Sequence, residues 1–268
     1  MSDNKEKSAL SISKVSSFFR IDSSKLSWYH IKSVVLTHIL DDLRFYIFIL
    51  LFLLTRTFVY NWYLVPSGSM NPTLVEWDYI GLNKLAYNEK DKPLRGDIVV
   101  FDRDILLVKR IVGVGGDTIS VKNAVLYING KPLQLKYTEL DIAMSGQIPV
   151  TRKVKFGVYE ETFPLENGGS RINNVIYLDK KSLSENYQNR IDNKYANMDE
   201  VIVPDGKYFV MGDNRFASDD SRVIGFINED EIMGRVTHVL LNPVDIFNRI
   251  IMLKDKVQVR FFESVYNS

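Results

Sequence analysis

The sequence predicts a mainly β protein: a single N-terminal transmembrane helix followed by an extracytoplasmic all-β domain with an inserted β subdomain. Three observations carry this. Residues 45–65 read FYIFILLFLLTRTFVYNWYLV, with one charge; beyond Met70 the apolar residues recur with period two; and Gly, Asn and Asp punctuate those runs at turn spacing. The expected organisation is a cytoplasmic leader over residues 1–44, the span over 45–65, a first β part over 66–130, the insert over 131–204, and a second β part with a tail over 205–268.

A helix needs about 20 residues to cross hydrocarbon, which residues 45–65 supply. Arg56 opposes insertion by about 2.5–3.5 kcal/mol at the bilayer centre, while each surrounding Phe, Ile, Leu or Val returns roughly 0.3–0.6 kcal/mol. Its side chain can also snorkel toward a headgroup layer. Tyr60, Trp62 and Tyr63 read as an aromatic belt at the far end. Lys5, Lys7, Lys14, Arg20, Lys25, Lys32 and Arg44 precede the run, and no Lys or Arg separates Arg56 from Lys84. The positive-inside rule then puts the N-terminus in the cytoplasm and everything from Pro66 outward. The alternative is a buried helix of a soluble domain. A cleaved secretory leader is disfavoured, because no Ala-x-Ala site follows the apolar run. The leader's WYHIKSVVLTHILDDL places Trp28, Ile31, Val35, Leu36, Ile39 and Leu43 near helical spacing, as an amphipathic helix on the membrane surface would.

The 268 residues leave enough chain outside for one large or two small cores. A net charge of +1 gives no nucleic-acid footprint, and the absence of cysteine excludes disulfides, a thiol nucleophile and a Cys-based metal site. Strands are expected at residues 79–82, 97–101, 106–112, 118–121 and 125–128. Asn129-Gly130 signals a hairpin, and Gly113 to Asp117 a tight connection. That glycine cluster is not a phosphate loop on this reading, since β-rich sequence follows where a nucleotide loop opens a helix. In the polar insert, strands are expected at 154–162 and 174–178, with turn residues at Asn167-Gly168-Gly169. Strands resume at 207–211 and 235–241, and a short helix is expected over 245–253.

The chemistry begins at Pro66-Ser67-Gly68-Ser69-Met70, directly after the apolar run. A serine hydroxyl needs a neighbouring base. His30 and His38 lie on the opposite side of the expected membrane from Ser69, and His238 sits in an apolar strand run as a structural residue. Lysine remains. In Leu106-Leu107-Val108-Lys109-Arg110-Ile111-Val112, strand alternation sets Lys109 on one face with Leu107 and Ile111 and sends Arg110 to the other. An amine among aliphatic side chains loses hydration, which disfavours its charged form. Read from the residues alone, Lys109 is either such a base or a strand lysine whose amine snorkels to water.

Four motifs in order resemble the bacterial type I signal peptidases: Ser67 to Leu74 with the preceding proline, Arg95 to Phe101, Lys109 to Gly113 with Gly116-Asp117, and Gly212-Asp213-Asn214-Arg215 with Ser218, Asp220, Ser221 and Arg222. The resemblance is weak in the leader, the insert and the tail. It implies Ser69 as nucleophile and Lys109 as general base, an oxyanion held by the Ser69 N–H and the Ser67 hydroxyl, Ser218 hydrogen-bonded to the Lys109 amine, an Asp220–Arg222 ion pair bracing the turn, and Asp213 and Asn214 shaping it. It also implies that Val65, Met70, Leu74, Ile80, Val100, Leu107 and Val108 line shallow substrate pockets. Phe216, Ala217, Asp219 and Asn71 depart from the family's usual residues, without touching the Ser-Lys pair.

The activity so implied is removal of signal peptides from exported precursors by cleavage after small residues, as in Ala-x-Ala, by an enzyme of the bacterial cytoplasmic membrane. An extended substrate would add along edges near residues 63–67 and 106–108. The expected partners are signal-peptide-bearing precursors and membrane lipid, with no nucleic acid; the expected state is a monomer, without metal or organic cofactor. Two other readings are a peptidase with the same pair dedicated to one secretion or conjugation substrate, and a non-catalytic membrane-tethered β module that binds exported chains.

Overall fold

The computed structural model describes residues 28–138, 156–165, 168–178, 195–244, 246 and 261–266. The chain forms two compact units, Met1–Thr55 and Arg56–Ser268. In the first, the described residues are one helix, α1 (Trp28–Phe58), which runs on into the second unit. The expected leader helix and the expected span are therefore one continuous element, and every described side chain from Val35 to Leu54 is exposed.

The span expected over residues 45–65 is not formed as such. The helix ends at Phe58, and Tyr60–Leu64 is a strand, β1, whose aromatic residues suit a pleated surface as well as a membrane belt. No helix among the described residues is long and apolar enough to cross a membrane. The physical reason is charge spacing. Lys32, Asp41, Asp42, Arg44 and Arg56 all fall within α1, and the uncharged stretch from Phe45 to Thr55 is roughly 16 Å long against about 30 Å of hydrocarbon. The helix end is tied down locally: Lys84 donates from Nζ to the Thr57 carbonyl at 2.8 Å, placing a cation at the negative end of the helix dipole. Arg56 stacks over Trp62, 4.9 Å from the ring centre.

The second unit is all β but for single turns. Its main sheet contains β1, β2 (Tyr79–Asn83), β3 (Ile98–Arg103), β4 (Ile105–Gly113), β12 (Lys207–Met211), β13 (Ile227–Asn228), β14 (Ile232–Leu241) and β15 (Phe261–Ser264), in the order β1-β2-β14-β3-β4-β12-β13 with β15 against β14. The intervening strands are β5 (Thr118–Lys122), β6 (Val125–Ile128), β7 (Lys131–Pro132), β8 (Gln134–Thr138), β9 (Phe156–Pro164), β10 (Ser170–Leu178) and β11 (Met198–Ile202). They make a four-stranded sheet β11-β5-β6-β7 and a three-stranded sheet β10-β9-β8. Each strand expected from period two thus falls on an observed one. Residues 154–155 and Asn167 lie outside the described residues, as does the helix expected over 245–253 apart from Ile246. The polar insert divides: β7 and β11 pair with β6 and β5, and only β8 to β10 form a sheet of their own.

Local chemistry sets the connections. Asn129 and Gly130 take φ of 52° and 74°, the left-handed pair that closes a two-residue hairpin between β6 and β7. The glycine-rich link from β4 to β5 is organised by Asp117, which accepts from Arg95 Nε at 2.6 Å, Asn129 Nδ2 at 2.9 Å and the Val114 N–H at 2.9 Å. Burial opposes its charge, but these donors hold the carboxyl below the usual carboxylate range.

One core cluster gathers Val65, Met70, Leu74, Ile80, Leu82, Ile98, Val100, Val236, Val239 and Val265 between the chain around the Ser-Lys motifs and strands β2, β3 and β14. Across the sheet, Val99, Phe101, Ile111, Tyr208, Val210 and Ile227 form another. The Tyr60 ring lies across Gly81 so that its hydroxyl comes within 3.0 Å of Thr237 Oγ1, and a Cβ at Gly81 would collide with it. Gly81→Ala is therefore expected to destabilise the protein by about 1–3 kcal/mol. Adding Tyr60→Ala is expected to remove most of that increment, which thermal melting of the single and double variants will measure.

Candidate active site

The segment carrying Ser69 is held from below. Residues Gly68–Met70 form one 3-10 turn, Met70 is buried in the first core cluster, and its carbonyl accepts from the Leu74 N–H at 3.0 Å. Ser69 is half-buried between this anchor and solvent. Its N–H lies in the first turn, where amides have no intrahelical acceptor and remain available to an anion.

Lys109 reaches Ser69 from β4. Its Nζ lies 2.7 Å from Ser69 Oγ, and only 3% of the residue is exposed. A charged amine donates to Oγ across this distance, whereas a neutral amine accepts the hydroxyl proton. The cross-strand neighbour of Lys109 is Val99, which is fully buried, and Leu107 and Ile111 flank it in the same apolar cluster. Desolvation is the largest influence and pushes the amine below its ordinary pKa of 10.5; Asp220, Asp219 and Asp213 pull it back upward. Ser67, exposed, donates to Ser69 Oγ at 3.5 Å, the outer limit of a hydrogen bond.

The turn after β12 closes the site. Asn214 donates from its backbone N–H to the Ser69 carbonyl at 3.0 Å and from Nδ2 to the Gly68 carbonyl at 3.2 Å. Asp220 takes Arg222 in a bidentate pair at 2.8 and 2.7 Å and also accepts from the Gly212 N–H at 3.0 Å. Both side chains of this pair are buried, not solvated. Ser218 departs from expectation. It is buried, but makes no hydrogen bond to Lys109, and its Oγ has no partner among the described residues. It packs against Gly212 instead, in space that a Cβ on that residue would fill.

Sequence reasoning did not reveal the pairing of Arg110 with Asp213. Arg110 donates to Asp213 from Nε at 2.8 Å and from Nη2 at 2.7 Å, and Thr73 Oγ1 donates to Asp213 Oδ2 at 2.6 Å. The signal was present: a guanidinium inside an apolar strand run needs a buried partner. Glu161 and Tyr177, which hold Arg215, were also missed; nothing in their polar, strand-like surroundings marked them. His238 is exposed on β14 instead of structurally packed.

The expected pocket residues fall into two groups. Val65, Met70, Leu74, Ile80 and Val100 are buried in the first core cluster with Val108 against it, whereas Leu107 packs on the other face of the sheet. Alternation separates Leu107 from Val108, so the seven are divided between the two faces of the sheet. Among the described residues, the outer side of β1 has no strand partner, nor has β4 from Ile105 to Val108 on the side away from β3, since β12 pairs only from Arg110 onward.

A half-buried serine within hydrogen-bond reach of a desolvated lysine, on a β scaffold with open strand edges beside it, describes a serine endopeptidase. Residues 39–241 match the signal peptidase family, peptidase S26. The chain is 30% identical over 252 residues to signal peptidase I of Rickettsia rickettsii (strain Sheila Smith) and 29% to that of Rickettsia massiliae (strain Mtu5), in each case over 81% of this chain and 89% of the relative. A crystal structure of signal peptidase I from Enterococcus faecalis V583 aligns with 55% of this chain and 97% of its own, at 25% identity and a TM-score of 0.30. The chain belongs to the signal peptidase family, serine endopeptidases that remove signal peptides from exported proteins.

The contact of Gly212 with Ser69 and Ser218 yields a test. Gly212→Ala puts a Cβ against the Ser69 carbonyl and Ser218 Oγ and is expected to displace the nucleophile. A loss of about a hundredfold in kcat is expected, because misplacement by about 1 Å costs that much. Steady-state cleavage of a signal-peptide substrate by a folded variant will measure it.

Proposed function

We propose that Ser69 attacks the carbonyl of the residue before the cleavage site while Lys109 Nζ takes the hydroxyl proton. The ammonium so formed returns that proton to the leaving amine, and the acyl-enzyme ester is then hydrolysed by water that Lys109 activates in turn. The Ser69 N–H and the Ser67 hydroxyl hold the oxyanion. The observation that carries this reading is the 2.7 Å separation of Ser69 Oγ from the buried amine. The Asp220–Arg222 and Asp213–Arg110 pairs and Asn214 brace the pair, and Ser218 fills the space beside Gly212.

The substrate is an extended precursor segment laid along the free edges of β1 and β4, taking main-chain hydrogen bonds from one or both. Val65, Met70, Leu74, Ile80 and Val100 supply a closed floor, Val108 a partly open wall, and Leu107 the opposite face. A floor already packed as core leaves room only for small side chains, which supports cleavage after Ala-x-Ala segments. The exposed apolar surface of α1 supports embedding of the N-terminal region in membrane lipid. The protein acts there on signal-peptide-bearing precursors, as a monomer, without metal or organic cofactor.

Three measurements test this. Cleavage of an Ala-x-Ala precursor is expected to fall by about 10²- to 10⁴-fold in Lys109→Ala and comparably in Ser69→Ala, at matched folding. Because only the neutral amine accepts a proton, kcat/KM is expected to rise with pH through the lowered Lys109 pKa and to level off below 10.5. An activity independent of pH, or a Lys109→Ala variant at full rate, would overturn the assignment. For the anchor, the full chain expressed in bacteria is expected to stay with membranes through alkaline carbonate extraction; release into the supernatant would exclude lipid embedding.

A further inference from the structure

Three consecutive residues of the closing turn point in three directions. Asp213 holds Arg110, the neighbour of Lys109, and Asn214 holds the Ser69 and Gly68 carbonyls. Arg215 turns toward the small sheet, where Nη1 donates to Glu161 Oε1 at 2.6 Å and to the Tyr177 hydroxyl at 3.0 Å, and Nη2 pairs with Glu161 Oε2. Tyr177 in turn donates to Glu161 Oε1 at 3.2 Å. Glu161, Tyr177 and Arg215 are all buried.

Backbone contacts reinforce the junction. The Ile176 N–H donates to the Asp213 carbonyl at 2.8 Å, and the Arg215 N–H donates to the Ile176 carbonyl at 3.1 Å, so β10 runs beside the turn. Aromatic edges continue it outward: Phe216 meets Tyr177 with centroids 6.2 Å apart, Tyr177 meets Tyr159 at 5.5 Å, and Tyr159 meets Tyr137 at 5.6 Å. Phe216 is one of the residues that depart from the family pattern, and here it packs on this ladder.

Burial works against the charge of Arg215, and Glu161 sustains it, so that its pKa is raised overall. Without the carboxylate, a buried guanidinium has strong reason to seek water. The Arg215 backbone bonds to Ile176 and directly follows Asp213 and Asn214, so any shift of the turn at Arg215 reaches both of them.

We propose that the β8–β10 sheet belongs to the catalytic apparatus: Glu161 and Tyr177 are positioning residues that act through Arg215 to keep Asn214 on Ser69 and Asp213 on Arg110. The proposal rests on the assignment of Ser69 and Lys109 as the reacting pair.

The test compares full-length wild type, Lys109→Ala, Glu161→Gln and Tyr177→Phe in detergent on an Ala-x-Ala precursor peptide, with kcat and KM determined from pH 6 to 10 and melting followed in parallel. Glu161→Gln keeps the shape and removes the charge. It is expected to lower kcat by about 10- to 100-fold with KM within about threefold of wild type. Its ascending pH limb is expected to move to higher pH, as a displaced turn readmits water to Lys109. Tyr177→Phe is expected to shift both quantities in the same direction by less. If Glu161→Gln does not fold, Tyr177→Phe, lacking one hydroxyl, decides alone. Variants that melt lower but keep the wild-type kcat and pH limb would reduce the cluster to a structural brace and overturn the proposal. An active Lys109→Ala would instead strike the reacting pair itself, so the two failures are distinguishable.

Discussion

The buried ion pair between Arg110 and Asp213 is the constraint on which the rest of the site depends. Arg110 follows Lys109 on β4, Asp213 follows Gly212 in the closing turn, and Thr73, three residues beyond Met70, bonds to both. One pair therefore fixes β4, the closing turn and the segment carrying Ser69. The Arg110 Nη1 bond to the Gly96 carbonyl adds the approach to β3. Removing one partner of such a pair leaves an uncompensated charge and costs about 3–5 kcal/mol. Its specificity is as consequential as its energy, since a planar fork meeting a carboxylate admits one geometry.

Around that pair the site resolves a conflict between desolvation and charge. Desolvation disfavours the charged form of Lys109, while Asp213, Asp219 and Asp220 stand close enough to favour it. Arg110 and Arg222 occupy two of these carboxylates through bidentate contacts, which limits their pull on the amine. The arginines thus hold the turn in shape and moderate the field at Lys109. Meanwhile Ser69 stays half-buried, because its immediate neighbour Met70, not the serine, supplies the anchor in the core. Anchoring a reactive group through the adjacent residue keeps it rigid and still reachable.

Much of this was legible in the chain. Period-two alternation located nine of the fifteen described strands of the second unit, because one face of each is buried and the pleat transmits that to the residue order. Asn129-Gly130 announced its hairpin through the φ values it tolerates. Ser69 and Lys109 stood out as candidates because a serine needs a base and few bases were available, but it was the resemblance to the signal peptidases, not the residues alone, that paired them. Three things were not. The aromatic run at Tyr60, Trp62 and Tyr63 fits a membrane belt and a strand alike, and pairing with β2 chose the strand. Ser218 was expected on the lysine amine, whereas its direction depends on how residues 212–222 fold over Gly212. Which of the expected pocket residues pack in the first core cluster and which across the sheet was decided by the packing of the strands.

The sequence by itself determined the elements and the reactive groups: an apolar helix, a run of short strands, a hydroxyl after the helix and an amine within an apolar strand. Those properties are local, arising from side-chain periodicity, backbone preference and intrinsic chemistry within a few residues. Only the tertiary structure decided which charges meet. Arg110 finds Asp213 and Arg215 finds Glu161 across separations of 103 and 54 residues. Neither partner carries a mark of the other, because an ion pair is selected by geometry in a shared low-dielectric interior, and that interior exists only once the strands have packed.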